Sequence, residues 1–151
     1  KNRTGRIMST FNSYQSGLHN VGSFQVSSIP WASASIAVAP LTEPPTASVT
    51  ALGPVTEIEF WKVSKFVIVK NEIAVDDIPK PIRLGFSVLG VKEDNYILLE
   101  NDESFSADYK ITRLYLMANQ TASTSASVYA GLTGIPEGRL THNWSGSAGV
   151  G

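Results

Sequence analysis

The sequence predicts an all-β protein: an antiparallel β-sandwich, jelly-roll or Ig-like, with an extended N-terminal arm. Three observations carry that expectation. After residue 55, apolar residues recur at alternate positions, the period of a strand with one buried face. Polar turn signals interrupt them roughly every 8 to 12 residues, the spacing of a sandwich or barrel rather than of βαβ units. No stretch sustains helical periodicity between caps.

The elements follow in order. Residues 1–54 are rich in Ser, Ala, Thr and Gly and carry Pro30, Pro40, Pro44, Pro45 and Pro54. Proline cannot donate to a ladder, so this region reads as an arm with one to three edge strands. Its apolar residues Phe24, Val26, Ile29, Trp31, Ile36 and Val38 need cover, from the same domain or from another subunit. Residues 41–46, with paired prolines, mark the main internal break.

Residues 55–136 form the expected sandwich body. Ile58 and Phe60 share one strand face and Glu57 and Glu59 the other. Trp61 to Lys70 is a β-branched and aromatic run, with Trp61 expected in the core. Ile82, Leu84, Phe86 and Val88 line one face of a strand, opposite Arg83, Gly85 and Ser87, and Gly90 permits the turn that ends it. Tyr96 to Leu99 is the next strand, followed after an acidic turn by Phe105, Ala107, Tyr109 and Ile111 at alternate positions. The run from Ile111 to Met117 adds another strand. In the last, Ala126, Val128, Ala130 and Leu132 point inward and Tyr129 outward. Residues 137–151 revert to a polar, glycine-rich tail containing Trp144.

Composition narrows function. The chain has 151 residues, one domain's worth, and a net charge of −1, which gives no footprint for nucleic acid. No apolar run is long enough to cross a bilayer, so no membrane partner is expected. With no cysteine, a disulfide scaffold or a zinc-thiolate site is excluded. Charged residues make up only 17%, a surface suited to repeated contact with neighbours. The one basic cluster, Lys1, Arg3 and Arg6, reads as a solvated segment or as an anchor on an acidic partner.

Candidate chemistry is sparse. Asp76-Asp77 and Asn101-Asp102-Glu103 lack calcium-loop spacing and read as solvated turns. Glu57 and Glu59 share a face as a glycosidase pair would, yet any exposed strand offers such pairs. His19 and His142 stand without a second ligand at metal spacing. Ser87, in Gly85-Phe86-Ser87-Val88-Leu89, lacks the second glycine of a nucleophile elbow and is expected inside a strand. The Asn-X-Ser/Thr triplets at Asn2, Asn119 and Asn143 arise by chance in so Ser/Thr-rich a chain. No catalytic, metal or cofactor residues are expected, and no enzyme. Trp31, Trp61 and Trp144 could form a sugar-stacking platform, while Trp31 and Trp144, in the flanking segments, read rather as anchors into a neighbouring subunit.

A set of short motifs carries a resemblance. Residues 21–27 (VGSFQVS), Pro30-Trp31, Leu84-Gly85-Phe86-Ser87, Asn95-Tyr96, Glu103-Ser104, Leu114-Tyr115-Leu116 and residues 130–136 (AGLTGIP) resemble small virion structural proteins of tailed bacteriophages, marine and cyanobacterial ones especially. The match spans roughly residues 20–136. What the resemblance implies is a non-enzymatic capsid decoration or cement protein, or a fibre-base subunit, located in the virion. Its expected partners are the major capsid protein or other virion proteins, with copies grouped as a homo-oligomer. On the residues' own reading, the anchors would be Phe24, Val26, Ile29, Trp31 and Ile36 on an arm of residues 7–40, with Trp144 in the C-terminal tail, and the body would project outward. The alternative is a carbohydrate- or receptor-binding β-sandwich module.

Overall fold

The computed structural model describes residues 21–25, 27–43 and 53–140. Their elements are α1 (Gly22–Gln25), β1 (Ile29–Val38), β2 (Thr56–Glu59), β3 (Lys62–Asn71), β4 (Ile82–Gly85), α2 (Val88–Lys92), β5 (Ile97–Leu99), β6 (Ser104–Ala107), β7 (Arg113–Ala118), β8 (Thr124–Pro136) and a 3₁₀ turn, Glu137–Arg139. The strands form two antiparallel four-stranded sheets, ordered β1-β8-β3-β6 and β2-β7-β4-β5. The chain is all-β, as the alternation predicts.

The pairing order decides between the two sandwich types. β1 pairs with β8, β2 with β7, β3 with β6 and β4 with β5. The chain thus folds as one long hairpin, and further pairing of β8 with β3 and of β7 with β4 rolls that hairpin into two sheets. This is the jelly-roll arrangement. Apolar side chains from both inner faces meet between the sheets, among them Val67, Val128 and Leu132 from the first and Ile82, Leu114 and Leu116 from the second.

β1 belongs to this sandwich as an edge strand. Ile29 and Trp31 lie opposite Leu132 and Ala130, while Ile36 and Val38 lie opposite Ala126 and Thr124. The register shifts between Ser33 and Ile36, so odd-numbered residues face inward before the bulge and even-numbered ones after it. Ser35, within the bulge, has φ 56°. Such a kink also makes a long edge a poor template for foreign strands.

Two expectations about β4 are corrected. The strand stops at Gly85 instead of running to Val88, because the Ser87 hydroxyl accepts a hydrogen bond from Gly90 N at 3.0 Å and caps α2. Local capping outweighs the strand propensity of Val88. Arg83 and Gly85 do not face solvent either. A second apolar layer, with Leu41 and Val91 over Tyr115 and Met117, covers this outer face. Arg83 is only 4% exposed. Its Nε donates to Asn119 Oδ1 at 2.6 Å, its Nη1 to Val91 O at 3.1 Å and Lys92 O at 3.3 Å, and the guanidinium lies 4.4 Å from the Tyr96 ring centroid. Gly85 makes this layer possible, since a Cβ there would meet Val91 Cγ1 at 2.4 Å.

Trp61 is the third correction. It lies between β2 and β3 with 54% exposure, its ring 5.7 Å from Lys62 Nζ, and is not part of the core.

Candidate binding surface

The outer face of the β1-β8-β3-β6 sheet carries the most distinctive surface among the described residues. Along β3, Val67, Val69 and Asn71 are buried, so Phe66, Ile68 and Lys70 point outward. On β8 the same alternation turns Tyr129 outward, 45% exposed. Register then builds rows across the sheet. Ala32, Tyr129, Ile68 and Ser106 lie side by side on the four strands, and Pro30, Gly131 and Phe66 form the adjacent row. The Phe66 and Tyr129 rings stand 5.7 Å apart with a 40° tilt. A Cβ on Gly131 would meet Phe66 Cε1 at 2.3 Å, so the bare glycine lets the ring lie down on the sheet. The result is a low strip with aromatic and aliphatic side chains at its centre and small ones around it.

The next row is polar. Ser127 and Lys70 lie opposite one another, with Ser104 beyond. Lys70 Nζ is 2.9 Å from Asp102 Oδ1, and Ser127 donates to Glu72 Oε1. Hydrogen bonding and attraction to Asp102, reinforced by Glu72, hold the Lys70 pKa above its ordinary value.

The expected anchors are placed as follows. Phe24, in α1, is half-buried against Val63, Ile135 and Leu140, with Lys110 Nζ 4.7 Å from its ring. Trp31 meets Phe60 edge-on at 4.9 Å and 81°, closing the side of the sandwich where β1 and β2 are the edges. Ile36 packs on the main core, and Val38 is fully buried. Cover for these residues comes from the same domain. Ile29 is 40% exposed. Val26 and Trp144 lie outside the described residues, as do His19 and His142.

The other candidates stand apart from one another. Glu57 and Glu59, on β2, flank Arg113 at 3.5 and 3.4 Å. Among the described residues, no group of three His, Cys, Asp or Glu could hold a metal ion. At Asn119 the side-chain oxygen is occupied by Arg83. Sequence reasoning turned Tyr129 outward but missed its partners, because Phe66 and Ile68 are hidden in an unbroken apolar run. Only the pairing with β8 reveals which of those residues face solvent.

No family model, curated protein or solved structure matches the chain.

Proposed function

We propose that this protein is a non-enzymatic structural subunit of a virion, a capsid decoration or cement protein that binds its neighbours through the outer face of the β1-β8-β3-β6 sheet. The observation that carries this reading is the strip of exposed Tyr129, Ala32 and Pro30 with half-buried Phe66 and Ile68, which no other described residue covers, in a chain poor in charge. Aromatic residues surrounded by small ones gain affinity by burial without first having to desolvate ions. The jelly roll adds support by analogy alone, since shell proteins and lectins both use it. The resemblance to tailed-phage virion proteins points the same way. Partners are the major capsid protein or other virion proteins, with many copies acting together through effective concentration.

The test uses the full chain and particles stripped of it. Wild type co-sediments with the particles, whereas Tyr129→Asp, which alters only the exposed strip, loses at least tenfold in retention. Equal retention of both proteins would rule this face out.

A second reading, carbohydrate binding, is favoured by the hydroxyl and carboxylate of Ser127 and Glu72 lying one row from the Tyr129 ring. A sugar ring presents an apolar face to an aromatic and its hydroxyls to such a pair. Titration with an oligosaccharide panel separates the two, because only this reading expects saturable binding that Tyr129→Ala abolishes.

A further inference from the structure

The aromatic strip on the outer face begins close to where the described chain ends. Leu140 packs with Val63 and Ile135, and Phe24 lies against them, in a cluster separate from the core between the sheets. Ser28, which follows α1, lies on the outward side of the sheet at this end: a Cβ on Gly131 would meet its Oγ at 2.5 Å, beside the Phe66 ring. Along β3, Val63 precedes Phe66 by three residues and Ile68 by five, about 10 and 17 Å at roughly 3.3 Å per residue. Chain leaving Leu140 therefore starts from the strip's own end.

Length and composition select the occupant. Residues 141–151 (THNWSGSAGVG), which lie outside the described residues, hold no Asp, Glu, Lys or Arg and one Trp, Trp144. Trp144 is four residues past Leu140, a reach of at most about 14 Å. That reach brings its ring to Phe66 and, with the side chain's own length, toward Tyr129. A third ring laid against a tilted pair gains both buried area and edge-to-face attraction. The Ser, Gly and Ala that follow suit the small side chains of Pro30, Ala32 and Ser106. Residues 1–20 fit less well. They carry Lys1, Arg3 and Arg6, and their nearest Phe, Tyr or Trp, Tyr14, is seven residues from Val21, a longer loop to close.

We propose that segment 141–151 of the same chain straps the outer face of the β1-β8-β3-β6 sheet and seats Trp144 on the Phe66 and Tyr129 rings. The short tether makes the contact intramolecular, because it holds Trp144 near the strip at an effective concentration on the order of mM, which a second subunit reaches only in concentrated solution. The inference deepens the assembly reading by naming what covers the binding face in the free subunit. It rests on that reading only for what displaces the strap, a particle surface that competes for the same rings. A face covered until its partner arrives does not invite unspecific association, and its apparent affinity for the particle is lowered by the fraction covered.

NMR of the full chain tests the strap without particles, so its failure and that of particle binding can be told apart. The Trp144 indole protons show NOEs to the Phe66 and Tyr129 rings, and tenfold dilution changes neither these NOEs nor the indole N–H shift. Tyr129→Asp removes them. Trp144→Ala moves the Phe66 and Tyr129 ring resonances and leaves those of buried Leu116 in place. On stripped particles Trp144→Ala lowers the apparent Kd at least threefold, because nothing then competes for the face. Absence of the NOEs, their loss on dilution as contact with a second copy would give, NOEs to the strip from Phe11 or Tyr14 in their stead, or unmoved Phe66 and Tyr129 resonances in Trp144→Ala would overturn the strap. With the NOEs present, an unchanged or raised Kd for Trp144→Ala would overturn its displacement by the particle.

Discussion

Replacing Arg83 by Met should cost about 3 kcal/mol of stability, a figure built from what the guanidinium touches. Methionine keeps most of the apolar stem and removes the fork. The Val91 carbonyl, whose bond to Nη1 is buried, is left without that donor, at about 1–3 kcal/mol. Asn119 Oδ1 and Lys92 O are only partly buried and regain some water, so each adds roughly 0.5–1 kcal/mol. Loss of the cation–π contact with Tyr96 adds about 0.5–2 kcal/mol. Better desolvation of the apolar replacement offsets part of the total.

Urea unfolding followed by tryptophan fluorescence measures the change, and thermal unfolding should show a fall of about 6–12 °C for a chain of this size. Arg83→Lys keeps the charge but cannot reach α2 and the end of β7 together, so it should lose more than half as much. Faster amide exchange across residues 88–92 should accompany either change. A loss below about 1 kcal/mol with Met, or a gain, would refute the reasoning that this arginine ties α2 to the sheet.

Other perturbations test separate parts of the fold. Gly131→Ala places a Cβ 2.3 Å from Phe66 Cε1 and 2.5 Å from Ser28 Oγ, and should destabilise by about 1–3 kcal/mol in urea titrations while shifting the Phe66 ring resonances. Leu116→Ala empties a fully buried site between the sheets and should lose about 2–5 kcal/mol by the same assay. Ser87→Ala removes the cap of α2 and should lose about 0.5–2 kcal/mol, with faster exchange confined to that turn. The Lys70–Asp102 pair has a sign that pH can check. Because the Lys70 pKa is raised, its stabilising effect is complete below the ordinary lysine pKa and disappears as pH rises through the higher folded value. Comparing wild type with Lys70→Met across alkaline pH should show the difference between them closing in that window.

Much of the fold was legible in local pattern. The inward Ala126, Val128, Ala130 and Leu132 and the outward Tyr129 follow directly from alternation, and β8 confirms them. Alternation cannot reveal pairing order, which depends on strands far apart in sequence, and so the jelly roll emerged only from the β1-β8 and β2-β7 pairs. Nor can it reveal a second layer. Arg83 has the period of a solvent-facing residue and is buried because α2 and Leu41 cover that face. The groups ending in Trp31 and Val38 looked separate because a bulge changes the inward parity between them. The candidate strip was the least legible feature, since its members come from β1, β3 and β8 and meet only through register.

Purified particles offer the most direct test of the proposed virion role. Quantitative mass spectrometry of virions from the native source should find this chain in a fixed, stoichiometric ratio to the major shell protein, unchanged by successive rounds of purification. Trace amounts that decline with each round, in particles otherwise complete, would contradict it.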